Sequence, residues 1–219
     1  MDNRVLTVGS MLVLLVVGIG IGWGFQGASA PGSGGAVTTT TQVQGVDSVT
    51  LVVTTGSIYN STVGDQPAFF VLTSDGLKSS ANLAFPANTL IKLTIVNYDD
   101  GNASLTSNQY TKVTGTVNGT MTFANNDDVN ATQGAGGIVL RGGETVSNVS
   151  ADMIAHTFTI PSLNINIPIP VSSTVVAYIK IAQTGTFSWY CETACGAGTD
   201  GILGAMDTAG WMTGHVDVS

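Results

Sequence analysis

The fold is decided by residues 174–190, which read TVVAYIKIAQTGTFSWY. Two runs rich in β-branched and aromatic residues, 174–181 and 185–190, are separated by a short polar turn, as neighbouring strands are. Similar runs occur at residues 48–55, 68–73, 89–98, 156–160 and 215–218. Further strands are expected at residues 112–116, 120–123 and 138–141. Because no segment of this part keeps a 3.6-residue apolar period, the sequence predicts an all-β sandwich.

The composition of the 219-residue chain excludes several classes of protein. Charged residues make up 9%, against roughly 25% in average soluble domains, and the net charge is −8. A chain without a basic stripe is not a nucleic-acid-binding protein, and a mean hydropathy of +0.33 is too high for intrinsic disorder. The scarcity of ionisable groups leads us to expect an exterior surface in acidic surroundings, as in an acidophile.

The N-terminus predicts a membrane anchor. Residues 5–25 read VLTVGSMLVLLVVGIGIGWGF, carry no charge, and as a helix would span about 31 Å, close to the bilayer core. A cleaved signal peptide is the alternative, because Ala28-Ser29-Ala30 fits a cleavage site, but the apolar run is long for one. We therefore expect a transmembrane anchor over 1–26, a flexible linker over 27–46, and an exterior domain over 47–219 with an insertion around 99–150.

Asn-x-Ser/Thr sequons precede residue 151 and avoid the rest of the chain. They lie at Asn60, Asn102, Asn118, Asn130 and Asn148. We expect glycosylation of an exterior surface at these positions, the alternative being chance triplets in a Thr-rich chain.

The C-terminal part concentrates side chains that bind soft metal ions. Of the two Cys and two His in the chain, Cys191, Cys195 and His215 lie in the last thirty residues, and His156 opens a strand. A Cys-x₃-Cys loop presents both sulfurs toward one point, and thiolate, imidazole and thioether ligands together select copper over hard cations. A buried pair of thiols and a short-loop disulfide are the alternatives.

Several segments around these residues resemble subunit II of the haem-copper terminal oxidases, most closely the form with one membrane helix. They read HTFTIP from residue 156, NINI from 164, GTFSWYCETACG from 185 and MTGHVDV from 212, with a weaker likeness in NLAFPANTLIKLTIVN from 82. The resemblance implies a cupredoxin-like Greek-key β-sandwich outside the membrane, anchored by one N-terminal helix. In this family the sandwich holds the dinuclear CuA centre and passes electrons to haem in subunit I.

The resemblance also implies roles for individual residues. His156 corresponds to the first imidazole ligand, and Cys191 and Cys195 correspond to the bridging thiolates. The backbone carbonyl of Thr193 corresponds to a weak ligand, and Met212 corresponds to the thioether ligand.

One ligand of the family has no counterpart in this chain. The family places a second His four residues after the second Cys, where Thr199 stands here, and His215 follows Met212 instead of preceding it. Either the site binds copper with a substitute ligand, or it is metal-free, as in the quinol-oxidising branch of the family. The sequence favours the quinol-oxidase type slightly, because an incomplete ligand set loses affinity. The candidate substitutes are Asp200, Met206 and His215.

These features together predict subunit II of a respiratory terminal oxidase in the cell membrane. The chain would cover the exterior face of the haem-bearing subunit I and relay electrons from quinol or a small redox protein if copper is bound. It would be an electron-transfer or non-catalytic subunit, since the chain has only two His and no haem-ligating motif of its own. The alternatives are a membrane-tethered stand-alone cupredoxin carrier and a glycosylated exterior filament subunit.

Overall fold

The computed structural model describes residues 46–60, 64–128, 140, 143–196 and 204–219. The expected anchor over 1–26 and all of the linker except Val46 lie outside the described residues, as do Asn130, Thr199 and Asp200. Within the described ranges, no helix is long and apolar enough to cross a membrane. These ranges fold into strands joined by short 3₁₀ turns, so the all-β prediction is confirmed.

The described part contains twelve strands and six 3₁₀ turns. The strands are β1 (Val46–Asn60), β2 (Gly64–Thr73), β3 (Gly76–Ser79), β4 (Asn82–Phe85), β5 (Leu90–Asn97), β6 (Met121–Asn125), β7 (Glu144–Val146), β8 (Ile154–Ile160), β9 (Ile165–Pro170), β10 (Ser173–Lys180), β11 (Gly185–Tyr190) and β12 (Thr213–Val218). The turns lie at Asn108–Thr111, Val117–Gly119, Asn126–Asp128, Ala151–Met153, Pro161–Leu163 and Ala205–Asp207.

The strands form two sheets. One has seven strands in the order β3-β2-β1-β5-β10-β6-β7, and the other has five in the order β4-β12-β11-β8-β9. Neighbours are antiparallel except β1 with β5 and β12 with β4, which run parallel. Each parallel pair joins strands separated along the chain, so the topology is not a simple meander.

The core lies between the sheets, because alternate residues of each strand point inward. In the seven-stranded sheet, the buried residues of the three central strands include Val49, Leu51 and Val53 on β1, Ile91, Leu93 and Ile95 on β5, and Val175, Ala177 and Ile179 on β10. They pack with Leu83, Phe158, Trp189 and Val216 of the five-stranded sheet. The rings of Phe69 on β2 and Trp189 on β11 meet edge to face at 5.2 Å, so the two sheets are in direct contact.

The chain between residues 99 and 150 differs in part from the sequence-based expectation. The predicted strand at 112–116 is wrong: these residues make single bridges to Asn148, Asn166 and Ile179 on three separate parts of the chain. The run at 138–141 lies outside the described residues except for Leu140, which is in no strand, and the neighbouring strand is β7. The 120–123 prediction corresponds to β6.

Candidate metal centre

Strand β8 and the loop that follows β11 bring three metal-binding side chains together in the interior. All seven residues of β8 are buried, including His156. Cys191 comes directly after β11, and both Cys191 and Cys195 are buried free thiols. We call residues 191–196 the Cys loop. Because β8 pairs with the end of β11 at Tyr190–Thr159, residues distant along the chain become neighbours.

The three ligand atoms form a compact triangle. The Nδ1 atom of His156 lies 3.0 Å from the Sγ of Cys195 and 3.8 Å from the Sγ of Cys191. The two sulfurs are 3.9 Å apart. Two thiolates on one metal ion, with bonds of about 2.3 Å, stand about 3.8–4.0 Å apart for tetrahedral to trigonal angles. The sulfur separation therefore fits a shared metal ion, and the soft donor set fits copper.

Backbone hydrogen bonds fix the path of the Cys loop. The amide of Cys191 donates to the carbonyl of Met212 at 2.8 Å, which ties the start of the loop to the residue before β12. On its other side, the loop pairs with the chain near Leu105, which bridges Thr193. The loop turns at Gly196, whose φ of +69° suits glycine and where a Cβ would collide with Gln66. The thiols are therefore carried by a braced loop.

A β-bulge on β8 supplies a contact for the thiols. Ile154 pairs with Pro170 and His156 with Ile169, so Ala155 is the extra residue. Its carbonyl accepts a hydrogen bond from the Thr193 hydroxyl at 2.9 Å and one from the Cys195 thiol at 3.2 Å. The bulge therefore joins the histidine strand to the Cys loop immediately beside His156.

Thr193 faces the sulfurs with its hydroxyl. The Oγ1 atom lies 3.0 Å from the Sγ of Cys191 and 2.7 Å from the Sγ of Cys195. Its backbone carbonyl, the group implied as a weak ligand by the family resemblance, accepts the amide of Cys195 at 2.8 Å. The threonine side chain is thus a neighbour of the site that the sequence did not indicate.

Asp99 is a second residue of the site that sequence reasoning missed. Its Oδ2 atom lies 3.0 Å from the Nε2 of His156, on the side of the ring opposite the thiols. Asp99 follows β5 in the chain, and no spacing signal connects it with a residue 57 positions later. A carboxylate–histidine pair of this kind orients the imidazole ligand in many metal sites.

Charges at the site stabilise one another. Burial lowers the pKa of His156, but the hydrogen bond that its Nε2 donates to Asp99, together with the nearby Cys191, raises that pKa to about 9. Burial also opposes ionisation of Cys191, yet its hydrogen bonds with Cys195 and His156, together with the imidazolium charge, hold its pKa well below the usual value. The pKa of Cys195 is raised by its hydrogen bond with Cys191 and by burial. A bound metal ion would therefore replace protons at this site.

The remaining candidate ligands differ in burial. Met212 is fully buried beside Cys191, whose amide it accepts, and Met206 packs against the core from a short turn. His215 is exposed on β12, where its Nδ1 lies 3.5 Å from the hydroxyl of Ser188. The group of close ligand atoms in the described part is His156 with the two cysteines, and His215 is not brought to it.

Three of the sequons lie on the described surface. Asn102, Asn118 and Asn148 are exposed. The side-chain amide of Asn102 donates to the carbonyl of Asp152 at 2.9 Å. Asn60 ends β1, and nothing is described of its side chain. Glycosylation of these asparagines stays a prediction.

No family model and no curated protein matches the chain. Among solved structures, the chain is similar to the periplasmic domain of subunit II of cytochrome oxidase from Bradyrhizobium japonicum, with 12% identity and a TM-score of 0.33, over 78% of this chain and 83% of that chain. It is similar to rusticyanin from Thiobacillus ferrooxidans, with 13% identity and a TM-score of 0.32, over 81% and 79% of the two chains. Auracyanin B gives 14% identity and a TM-score of 0.31, over 78% and 88%.

Proposed function

We propose that this chain is a membrane-anchored subunit of a terminal oxidase, of the subunit II type, with a cupredoxin-like exterior domain that holds copper. The observation that supports this proposal is the orientation of His156. Its Nδ1 atom faces two buried thiols at 3.0 and 3.8 Å, and its Nε2 atom is held by Asp99. The soft donors and the dry surroundings suit a copper ion that changes oxidation state.

His156, Cys191 and Cys195 would hold the copper, and bound copper would supply one-electron transfer. The protein provides a rigid site: β8 fixes the imidazole, and the Ala155 bulge and Thr193 fix the thiols. Met212 carries a buried thioether, and its backbone carbonyl accepts the amide of Cys191. Little rearrangement of these residues accompanies a change of copper charge when the site is pre-organised.

The copper-bearing type is favoured here over the metal-free quinol-oxidase type, which the sequence favoured slightly. In a site that serves only as structure, a buried thiol pair needs no oriented imidazole and no carboxylate behind it. Burying His156 and two thiols together is costly unless the charged groups find partners. Metal binding accounts for the oriented imidazole beside two buried thiols, whereas core packing alone does not require it.

The partner we propose is a haem-bearing subunit I in the cell membrane, with this domain on the exterior side. The electron donor would be quinol or a small redox protein. Co-isolation of the tagged full chain with a haem-bearing membrane subunit is the expected result. Isolation of the chain alone would favour a stand-alone cupredoxin carrier, and self-assembled fibres would favour the filament alternative.

The copper proposal is tested on the full chain in detergent: its thiols are reduced, the reductant is removed, and Cu(II) is then added. We expect thiolate-to-copper absorption and a copper signal in electron paramagnetic resonance, which also distinguishes one ion from two. Both should be lost in Cys191→Ser and in Cys195→Ser. The matched control is His215→Gln, which changes the exposed histidine and should leave both signals unchanged.

Failure of the reduced, folded chain to take up copper would contradict the proposal. That result would favour the metal-free quinol-oxidase type, in which the domain only covers subunit I. Circular dichroism of each variant establishes that it is folded before its copper content is compared.

A further inference from the structure

Hydrogen bonds hold the carboxylate, the backbone amide and the backbone carbonyl of Asp99. Its Oδ2 atom faces the Nε2 of His156 at 3.0 Å, and its Oδ1 atom accepts the amide of Gly101 at 2.9 Å. Its own amide donates to the Oδ1 of Asn97 at 3.0 Å, and its carbonyl accepts the amide of Ser172 at 2.7 Å. The two carboxylate oxygens therefore serve different donors, and the carboxylate cannot rotate without losing one of them.

This arrangement determines which nitrogen of His156 is available to a metal. A carboxylate oxygen has no proton to give, so Nε2 must carry the proton in this contact. The Nδ1 atom, which faces the two thiols, then presents its lone pair when the ring is neutral. The ring of Phe69, on β2 of the seven-stranded sheet, meets the imidazole edge to face at 6.1 Å and limits the rotation of the imidazole.

We propose that Asp99 is the positioning residue of the copper site: its carboxylate keeps the proton of His156 on Nε2 and aims Nδ1 between the two thiols. This inference rests on the proposed copper function. Asp99 acts through His156 and does not touch the metal position itself, because it lies on the far side of the imidazole.

The segment that carries Asp99 also braces the thiols. Ala103 donates its amide to the carbonyl of Ile154 at 3.2 Å, at the start of β8. Ser104 accepts the amide of Ala194 at 3.0 Å, and Thr106 donates its amide to the carbonyl of Glu192 at 3.0 Å. Residues 99–106 thus run from the imidazole to the Cys loop. The same segment of the chain therefore contacts both the histidine ligand and the loop that carries the two thiols.

The variant Asp99→Asn separates this role from simple packing. The asparagine side chain has the same shape as the aspartate side chain. If its oxygen keeps accepting the amide of Gly101, its NH₂ group faces the Nε2 of His156. Two donors then oppose each other unless His156 moves its proton to Nδ1, the atom that must bind the metal. If the amide flips instead, the amide of Gly101 loses its acceptor.

The first measurement is Cu(I) affinity of the full chain by competition with a chromophoric chelator. We expect Asp99→Asn to bind Cu(I) about 10–100-fold more weakly than the unaltered chain, the usual effect of losing such a partner. The matched control is Asp100→Asn, which removes the same charge from the exposed neighbouring residue and should change the affinity by about twofold or less. Equal affinities of Asp99→Asn and the unaltered chain would overturn the proposal.

The second measurement uses the reduced, metal-free chain and does not depend on copper. The chain has two histidines, so ¹⁵N-edited NMR with His215→Gln as background assigns His156 directly. We expect a slowly exchanging, downfield proton on Nε2 that disappears in Asp99→Asn and persists in Asp100→Asn. Absence of this proton in the chain with native Asp99 overturns the positioning role, even if Asp99→Asn does not fold. If the proton is present but no copper binds, the orienting role stands and the proposed copper function is what fails.

Discussion

The two sides of the five-stranded sheet carry similar side chains in opposite environments. On the inner side, Trp189 and His156 are fully buried against the seven-stranded sheet. On the outer side, Tyr190 is 40% exposed and His215 is exposed. The alternation of a β-strand places consecutive residues such as Trp189 and Tyr190 on opposite sides, so one position along the chain separates core from surface.

This contrast shows that strand pairing and burial decide which histidine belongs to the site. His215 follows Cys195 closely in the sequence, but its neighbours Gly214 and Val216 take the inward positions on β12. His156 is 35 residues before Cys191, yet its Nδ1 lies 3.8 Å from that sulfur. Proximity along the chain is therefore a poor guide to the ligand set, and three pairs of variants test the contrast.

The largest effect is expected for the pair Trp189→Ala and Tyr190→Ala. Trp189 stacks on Phe158 at 5.5 Å, and its Nε1 donates to the carbonyl of Ser80, so its loss leaves a cavity and an unpaired carbonyl. We expect Trp189→Ala to lower the free energy of unfolding by about 3–5 kcal/mol. Tyr190→Ala should change it by about 0.5 kcal/mol or less. Urea unfolding of both variants measures the difference, and comparable losses would contradict the assignment of inner and outer sides.

The next effect is expected for the pair His156→Gln and His215→Gln. Removing the imidazole that faces both thiols should weaken Cu(I) binding by about a hundredfold or more, beyond the range typical of residues behind a ligand. His215→Gln should leave the affinity unchanged, because the ring lies on the outer side. Chelator competition measures both, and weakening by His215→Gln alone would make the exposed histidine the ligand.

The sequence predicts the strands well where a buried strand has a simple pattern. The alternating β-branched runs of β1, β5 and β10 are recognisable because each inner residue is apolar. Strand β9, with the sequence INIPIP, escapes such recognition because Pro168 and Pro170 argue against a strand. The two prolines are tolerated because β9 lies at an edge of its sheet. Which strand lies at an edge depends on the tertiary fold.

The site is predicted less completely than the strands. Ligand chemistry and family resemblance single out His156, Cys191 and Cys195, which the structure brings together. The partners behind them come from elsewhere: Asp99 is 57 residues from His156, and the Ala155 carbonyl is available because of a bulge. Neither contact leaves a spacing pattern, since the first depends on how the chain after β5 packs on β8 and the second on the irregular pairing of β8 with β9.

The smallest effect is expected for the pair Thr193→Val and Thr213→Val, which removes one hydroxyl from the buried Cys loop and one from β12. Both hydroxyls donate to a backbone carbonyl, that of Ala155 at 2.9 Å and that of Trp189 at 3.0 Å. Thr193 is fully buried, so water cannot replace its hydrogen bond, and we expect a loss of about 1–3 kcal/mol in the free energy of unfolding. Thr213 is half-buried, and its replacement should cost about 0.5–1 kcal/mol.

Because the Thr193 hydroxyl also lies beside both sulfurs, Thr193→Val should shift the thiolate-to-copper absorption, whereas Thr193→Ser should preserve it. A larger stability loss in Thr213→Val than in Thr193→Val, measured by urea unfolding of the metal-free chain, would mean that the Cys loop is less firmly held than β12.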